Sequence, residues 1–230
     1  QLLWAVFLYL SDSGLGATLE TDNNRAPTAS WIVEHQDHGW LCRDAANPHY
    51  LWYSKRFNPN AWPSSQYLEI TNPGDPIQCA LPVAGILAVF TREDKFRVLG
   101  NVTSGFVPIP AVSRRGTPAP LAAIETEYGI AFVARDGFFL TNLASPDTPL
   151  SDNILSLFIN ETMNDMAPIN WAAAGTMAGA FYKGRYYLAY PSGSNTSPDT
   201  VAVLSQDTKR WYFYQMPIRS FLVEEDVDDL

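Results

Sequence analysis

Residues 129–140 read Gly129-Ile130-Ala131-Phe132-Val133-Ala134-Arg135-Asp136-Gly137-Phe138-Phe139-Leu140. An apolar run enters a short polar turn and leaves it as an aromatic run. β-Branched and aromatic residues fit the pleated, half-buried surface of a sheet, and a polar turn that contains glycine is typical of a hairpin loop. The stretch therefore predicts a β-hairpin.

The same arrangement occurs four times along the chain. The glycines that lead the copies are Gly39, Gly85, Gly129 and Gly179, and they lie 46, 44 and 50 residues apart. Repeats of roughly 40 to 50 residues that contain β-hairpins are typical of propeller blades. The spacing predicts an all-β, β-propeller-like fold built from four-stranded blades of about 45 residues.

The last repeat predicts a complete blade, with strands over 175–182, 185–190, 200–204 and 210–215. At about 45 residues a blade, the chain holds about five blades. Residues 1–230 are then a single β-propeller domain or a segment of a larger propeller. We favour the segment, because the first strand has no blade of its own and the strand over 220–223 has no closing partner.

Two further elements are predicted outside the repeats. A short amphipathic helix is expected near 152–161, with Ser151 or Asp152 as its N-cap. The apolar run over 2–10 is too short to span a membrane and lacks the positive flank of a signal peptide. It is interpreted as a buried strand, and no membrane-spanning segment is predicted.

The composition favours a protein with a large core and few free charges. Apolar residues make up 47% of the chain and charged residues 17%, with a net charge of −9. About a quarter is the usual charged fraction, so the deficit indicates a surface partly covered by partners. A basic patch of the kind that binds nucleic acid is not evident. The close basic pairs at 55–56, 114–115 and 209–210 are interpreted as solvated turns, and the acidic residues over 224–229 as an exposed, charged edge.

Enzymatic and metal sites find little support in the sequence. Asp94 and Asp136 are candidates for paired carboxylates, but both fall in hairpin turns, where aspartate is favoured for local hydrogen bonding. The candidate metal ligands are His35, His38, Cys42 and His49; His38 is expected at the tip of a turn, away from the others. We predict no catalytic, cofactor-binding or metal-binding residue and no enzymatic activity.

The two cysteines and the three glycosylation sequons each allow more than one interpretation. Cys42 and Cys79 lie in apolar strand-like runs, which favours two buried free thiols over a disulfide. Asn101, Asn160 and Asn195 match the glycosylation acceptor pattern. If these sites were used, an extracellular propeller that binds carbohydrate or protein would gain support, with Trp40, Trp52, Trp62 and Trp171 as candidates for stacking.

A family resemblance rests on the order of several segments between residues 25 and 215. These segments are 47–54, 62–63, 67–70, 74–77, 87–90, 96–100, 129–137, 150–154 and 183–189, ending at Trp211. In this order they resemble the β-propeller virion proteins of tailed phages, particularly the tail nozzle or tail tubular B type of short-tailed phages. The chain departs from that pattern in showing no second domain that could form a platform around the propeller.

The resemblance implies a structural protein of the virion, located in the phage tail. Its partners would be further copies in a homo-oligomeric ring and neighbouring tail proteins such as the adaptor and fibres. The ring would form part of the DNA-ejection channel, through which genomic DNA passes without specific binding. The acidic balance agrees with this role, because like charge on a channel wall disfavours contact with DNA. The alternative remains the extracellular carbohydrate- or protein-binding propeller.

Overall fold

The computed structural model describes residues 22–144, 147–149, 168–205, 207–208 and 210–223. This part of the chain forms four antiparallel sheets, each of four strands, in which every strand pairs with the next in sequence. The all-β, blade-like fold predicted from the repeats is therefore confirmed. No described helix has the length and apolar character needed to cross a bilayer.

The sheets follow one another along the chain, and we call them blades 1 to 4. Blade 1 comprises β1 (Trp31–His35), β2 (His38–Cys42), β3 (Tyr50–Tyr53) and β4 (Tyr67–Glu69). Blade 2 comprises β5 (Ile77–Val83), β6 (Ile86–Thr91), β7 (Lys95–Asn101) and β8 (Gly105–Pro110). Blade 3 comprises β9 (Ile124–Thr126), β10 (Gly129–Ala134), β11 (Gly137–Thr141) and β12 (Thr148–Pro149). Blade 4 comprises β13 (Ala178–Tyr182), β14 (Arg185–Tyr190), β15 (Thr200–Ser205) and β16 (Arg210–Gln215). Short 3₁₀ segments at Pro120–Ala122 and Trp171–Thr176 precede blades 3 and 4.

The blades stand side by side through their first strands. β1 contacts β5, β5 contacts β9, and β9 contacts β13. The blades begin at residues 31, 77, 124 and 178, so the intervals are 46, 47 and 54 residues. The fourth hairpin copy is offset, however. Gly39 and Gly129 lie at the start of a second strand and Gly85 lies directly before one, whereas Gly179 lies in β13, the first strand of its blade.

The described residues form four buried apolar clusters: one lies between each pair of neighbouring blades, and the fourth lies on the outer side of blade 4. In β6, Leu87 and Val89 pack towards blade 1, while Ala88 and Phe90 pack towards blade 3. In β10, Phe132 packs towards blade 2, whereas its neighbours Ala131 and Val133 pack towards blade 4. Both faces of these strands are buried, which explains why the sequence reads as unbroken apolar runs rather than as alternation.

Two strands are not predicted from the sequence because they contain proline. The segment after Leu99 reads as loop-rich, yet Gly105–Pro110 forms β8 and pairs with β7. Proline cannot donate to a ladder, but it is tolerated on an edge strand, and β8 is the outermost strand of blade 2. The short β12 of blade 3 also contains a proline, Pro149, and is also an edge strand of its sheet. Four predictions fall outside the described residues: the strands over 1–20, the helix over 152–161, Asn160 and the acidic edge over 224–229.

Candidate functional site

The main concentration of charged side chains in the described residues lines a pocket between blades 2 and 3. The pocket has a volume of about 280 Å³. We call it the arginine pocket; its lining residues are Arg92, Glu93, Arg114, Arg115, Gly116, Ala134, Arg135 and Asp136. Four arginines thus face two acidic residues, in a chain whose net charge is −9.

Strand order brings these residues together. The β6–β7 and β10–β11 turns each join the second strand of a blade to its third, so they lie at the same end of adjacent sheets. The loop between β8 and β9 begins at the same end, where Pro110 pairs with Phe96, and it lies on the β6–β7 turn. A Cβ on Gly116 would be 2.4 Å from the carbonyl oxygen of Thr91 and 2.6 Å from the nitrogen of Asp94. Only glycine permits this close backbone approach.

Two of the arginines are fixed by carboxylates. Arg114 lies 2.6 Å from Asp94, and Arg115 lies 2.7 Å from Asp136. The Nε of Arg115 donates to both oxygens of Asp136, at 2.9 and 3.0 Å. Its guanidinium also lies 4.0 Å from the ring centroid of Phe139, a favourable cation–π position. These contacts hold both side chains at the pocket wall.

A buried ion pair supports the wall from beneath. Lys95 donates from Nζ to Asp147 at 2.7 Å and to the carbonyl oxygens of Ser113 and Arg115 at 2.9 and 3.2 Å. The side chains of Lys95 and Asp147 are fully buried. Burial lowers the pKa of Lys95, and its hydrogen bond with Asp147 opposes that shift. Three acceptors use the full donor capacity of the ammonium group.

The ion pair has the character of a structural element. Ser113 donates from Oγ to Asp147 at 2.6 Å, so a serine, a lysine and an aspartate lie together. A nucleophilic serine needs a base that accepts its proton and a path for substrate. Here the lysine is a donor engaged by three oxygens, and both ionisable side chains are closed to solvent. The arrangement ties the loop after β8 to the segment after β11.

The remaining two arginines carry no ion pair in the part of the chain that the structure describes. Arg92 and Arg135 are exposed at the tips of equivalent turns in adjacent blades. The turn that bears Arg92 is held by Asp75, which accepts from the Thr91 hydroxyl at 2.6 Å and from the Glu93 nitrogen at 3.1 Å. The pocket therefore presents two guanidinium groups that form no ion pair among the described residues, at the tips of adjacent turns, with Glu93 beside Arg92.

The carboxylates named from the sequence lie where predicted, in hairpin turns. Asp94 separates β6 from β7, and Asp136 separates β10 from β11. Each is bound to an arginine rather than to the other. Their environment is that of structural ion pairs.

The histidines and Cys42 all belong to blade 1 or the loop beside it, and all are buried. The expectation that His38 stands on a turn tip is wrong: the turn consists of Gln36 and Asp37, and His38 begins β2 opposite His35. Its Nδ1 contacts the carbonyl oxygen of Ser54 at 2.6 Å. Among the described residues, no three histidine, cysteine or acidic side chains are grouped so as to hold a metal ion.

The two cysteines are free and buried, as the sequence predicts. Burial raises the pKa of Cys42 to about 12 and raises that of Cys79 well above its usual value. Both thiols are therefore protonated at neutral pH. A protonated, buried thiol is a poor nucleophile and a poor metal ligand.

The aromatic and sequon candidates separate into buried and accessible residues. Trp40 and Trp62 are buried in the core and cannot stack on a ligand, whereas Trp52 and Trp171 are partly exposed. Asn101 is exposed and its side chain accepts from the nitrogens of Thr103 and Ser104. Asn195 is also exposed, and its side chain donates to Asp199 at 2.8 Å.

Apolar surface lies on the outer faces of the end blades. On blade 1, Ile32, Leu41, Trp52 and Tyr67 occupy one register row, and Ile32 and Tyr67 are 59% and 37% exposed. On blade 4, Tyr212 and Tyr214 point away from blade 3 and are 46% and 52% exposed. We call these surfaces the blade 1 face and the blade 4 face.

Sequence reasoning missed the arginine pocket. It considered Arg114 and Arg115 as an isolated pair and did not connect Arg92 with Arg135. The available signal is positional: both residues directly precede an acidic residue in equivalent turns of two repeats. Aligning the repeats by strand would have placed them in neighbouring blades.

Comparison with known proteins gives a remote structural match and no matching family. Neither a protein-family model nor a curated protein matches it. Among solved structures, one match is a protein of Bacteroides fragilis NCTC 9343 named "Putative exported protein", with a TM-score of 0.32 and 9% sequence identity. That match covers 86% of this chain and 73% of the other. So remote a likeness has no bearing on function.

Proposed function

We propose that this chain is a non-enzymatic structural subunit of a phage tail, in a ring that forms part of the DNA-ejection channel. The observation that carries the proposal is the pair of apolar outer faces on blades 1 and 4. The order of sequence segments that resembles tail nozzle proteins supplies the tail assignment. Both features concern assembly rather than chemistry.

The blade 1 face has the composition of a surface made for packing. Tyr50 and Tyr67 stack with ring centroids 4.3 Å apart, and Trp52 lies 5.2 Å from Tyr67. Interface centres are enriched in tyrosine, tryptophan and methionine. With Ile32 at the side of the ring cluster, the face resembles the inner faces that blades 1 to 3 already bury against one another.

The blade 4 face offers a second, different surface. Its rows pair Tyr187 with Val203 and Tyr212, and Ala189 with Val201 and Tyr214. Ile218 and Phe221 pack against part of it, and the tyrosines of β16 remain exposed. The two faces differ and lie at opposite ends of the array of blades, which allows head-to-tail contacts between copies. Such contacts form a ring when the rotations between successive copies add up to a full turn. We therefore propose a second copy of this chain as the partner of each face.

The negative net charge of the chain supports a ring through which DNA passes without binding to most of the protein surface. A net charge of −9 repels the phosphate backbone at long range. Neighbouring tail proteins, including the adaptor and fibres, are proposed as further partners of the ring.

Mass spectrometry of purified particles tests the tail assignment. We expect peptides of this chain in intact virions, in a fixed ratio to the other tail proteins, and retained after washing at high salt. Their absence from the particles, with the protein found free in the lysate, would contradict the assignment. The capsid protein serves as the internal control for particle recovery.

A second function, binding of carbohydrate by an extracellular propeller, is favoured by one observation. Trp52 and Tyr67 form a partly exposed aromatic pair on the blade 1 face, and sugars stack on such rings. Glycan-array binding that is lost in Trp52→Ala and retained in Trp171→Ala would support this alternative. Absence of glycan binding by the unmodified chain would exclude it.

A further inference from the structure

The arginine pocket has features of a binding site that its structural role does not explain. Two of its arginines complete ion pairs with Asp94 and Asp136, and these pairs account for their positions in the loops. Arg92 and Arg135 add two positive charges with no partner among the described residues. Both line the same pocket, which also holds the carboxylate of Glu93; like charges that share a site repel one another, and a bound anion relieves that repulsion.

The chemistry of the donors indicates the class of anion. Guanidinium groups are planar forks that bind the oxygens of phosphate or carboxylate with paired hydrogen bonds. Here they converge from three loops, at Arg92, at Arg114 and Arg115, and at Arg135. Donors from several directions match a tetrahedral oxyanion better than a planar carboxylate. The volume of about 280 Å³ also leaves room for the group that carries the anion.

The pocket is organised in advance for such a ligand. Asp75 holds the Arg92 turn through two hydrogen bonds, and Gly116 allows the loop and the turn to touch. Arg115 is immobilised by Asp136 and by the ring of Phe139. Binding therefore requires ordering of the exposed Arg92 and Arg135 side chains but little rearrangement of the loops, and preorganisation of this kind increases affinity.

We propose that the arginine pocket is a phosphate-binding site, in which Arg92 and Arg135 supply the charge and Arg114 and Arg115 complete the rim. The inference is independent of the proposed tail assignment. The phosphate is either free or carried on a nucleic acid strand, and both sources present the same oxygens to the guanidinium groups.

Calorimetric titration of the full chain with inorganic pyrophosphate, at about 150 mM salt so that long-range effects are screened, tests the proposal. The test variant is Arg92→Ala/Arg135→Ala, and the matched control is Arg185→Ala/Arg219→Ala, which removes the same charge from exposed sites outside the pocket. We expect the test variant to bind at least about tenfold more weakly, since it lacks both guanidinium groups that supply charge-assisted hydrogen bonds to the phosphate. The control should bind like the unmodified chain.

A second titration, with a single-stranded deoxyoligonucleotide, separates the two sources. Binding that depends on the same two arginines supports a phosphate carried on nucleic acid, whereas binding of pyrophosphate alone supports a free or terminal phosphate. Because Arg92 and Arg135 are exposed, the urea midpoint of the test variant should equal that of the control. Equal affinities in the test and control variants, or no binding of either probe, would overturn the proposal.

Discussion

The hydroxyl of Tyr186 lies 2.8 Å from the carbonyl oxygen of Ala122 and donates a hydrogen bond to it. Tyr186 belongs to β14 of blade 4, and Ala122 belongs to the 3₁₀ segment that leads into blade 3. Both residues are fully buried. Gly179 makes room for the contact, because a Cβ there would lie 3.2 Å from the tyrosine oxygen. One hydrogen bond thus joins two blades inside the core.

Removing this hydroxyl should weaken the packing of blade 4 on blade 3. Tyr186→Phe keeps the ring but leaves the Ala122 carbonyl without its donor, and an unsatisfied buried polar group costs about 1–3 kcal/mol. Urea denaturation should show that loss of free energy of unfolding. Tyr212→Phe removes a hydroxyl from an exposed ring and should have almost no effect. Equal stabilities of the two variants would show that the bond contributes nothing.

A glycine pair tests the geometry of blade 2. Gly100 has φ +105°, and a Cβ there would lie 2.0 Å from the carbonyl oxygen of Gly105; Gly85 has φ +80° and open space around it. Gly85→Ala should cost about 1 kcal/mol for backbone strain alone. Gly100→Ala should cost clearly more, because the β7–β8 turn must move. The comparison of their thermal midpoints is the measurement, and an equal loss would show that the close approach is absent in solution.

Two ion pairs of equal length should differ greatly in importance. Lys95–Asp147 and Arg56–Asp37 both measure 2.7 Å, but the first pair is fully buried and the second is exposed. Lys95→Met removes the closer of two cations from the buried carboxylate of Asp147 and leaves Arg115 at 3.3 Å, which should destabilise the fold by about 3 kcal/mol, the lower end of the range for a broken buried pair. Arg56→Met should cost at most about 1 kcal/mol. Denaturant titrations of both variants measure the difference. Similar small losses would contradict the burial of Lys95.

Acid should weaken blade 1 through His35. Burial lowers the pKa of His35 below its usual value of 6.5, and His38 adds to that effect while Glu34 opposes it. Between the usual and the lowered pKa, the unfolded chain binds more protons than the folded one. The free energy of unfolding should therefore fall as the pH drops below about 6.5.

The variant His35→Gln isolates this contribution. Denaturant titrations at several pH values should show a shallower fall in stability for His35→Gln than for the unmodified chain. The other ionisable residues are the same in both proteins, so the difference between the two profiles reports on His35. Parallel pH profiles from pH 7.5 to 5.5 would exclude His35 as the source.

The blades could be predicted because hairpins are local. The strands of blade 4 lie almost where the sequence places them, since an apolar run, a turn and an aromatic run occupy adjacent residues. The strand β8 could not, because Pro108 and Pro110 signal a loop and only its edge position makes them acceptable. The position of His38 was missed for a related reason: the tight turn of Gln36 and Asp37, both with positive φ, is one residue shorter than expected.

The arginine pocket could not be predicted from local pattern. Arg92 and Arg135 are 43 residues apart, and they meet only because equivalent turns of stacked blades share one end. The burial of Lys95 is likewise invisible in a polar turn sequence, since its partner Asp147 is 52 residues away. Long-range stacking, rather than local propensity, decides both features.

Native mass spectrometry of the purified chain tests assembly through the end faces most directly. We predict oligomers of the 25.6 kDa chain at micromolar concentration, and their loss in a variant that carries Ile32→Glu and Tyr214→Glu, one change on each face. Tyr128→Glu, at an exposed tyrosine away from both faces, should leave the oligomers intact. A single 25.6 kDa species at every concentration would contradict the account.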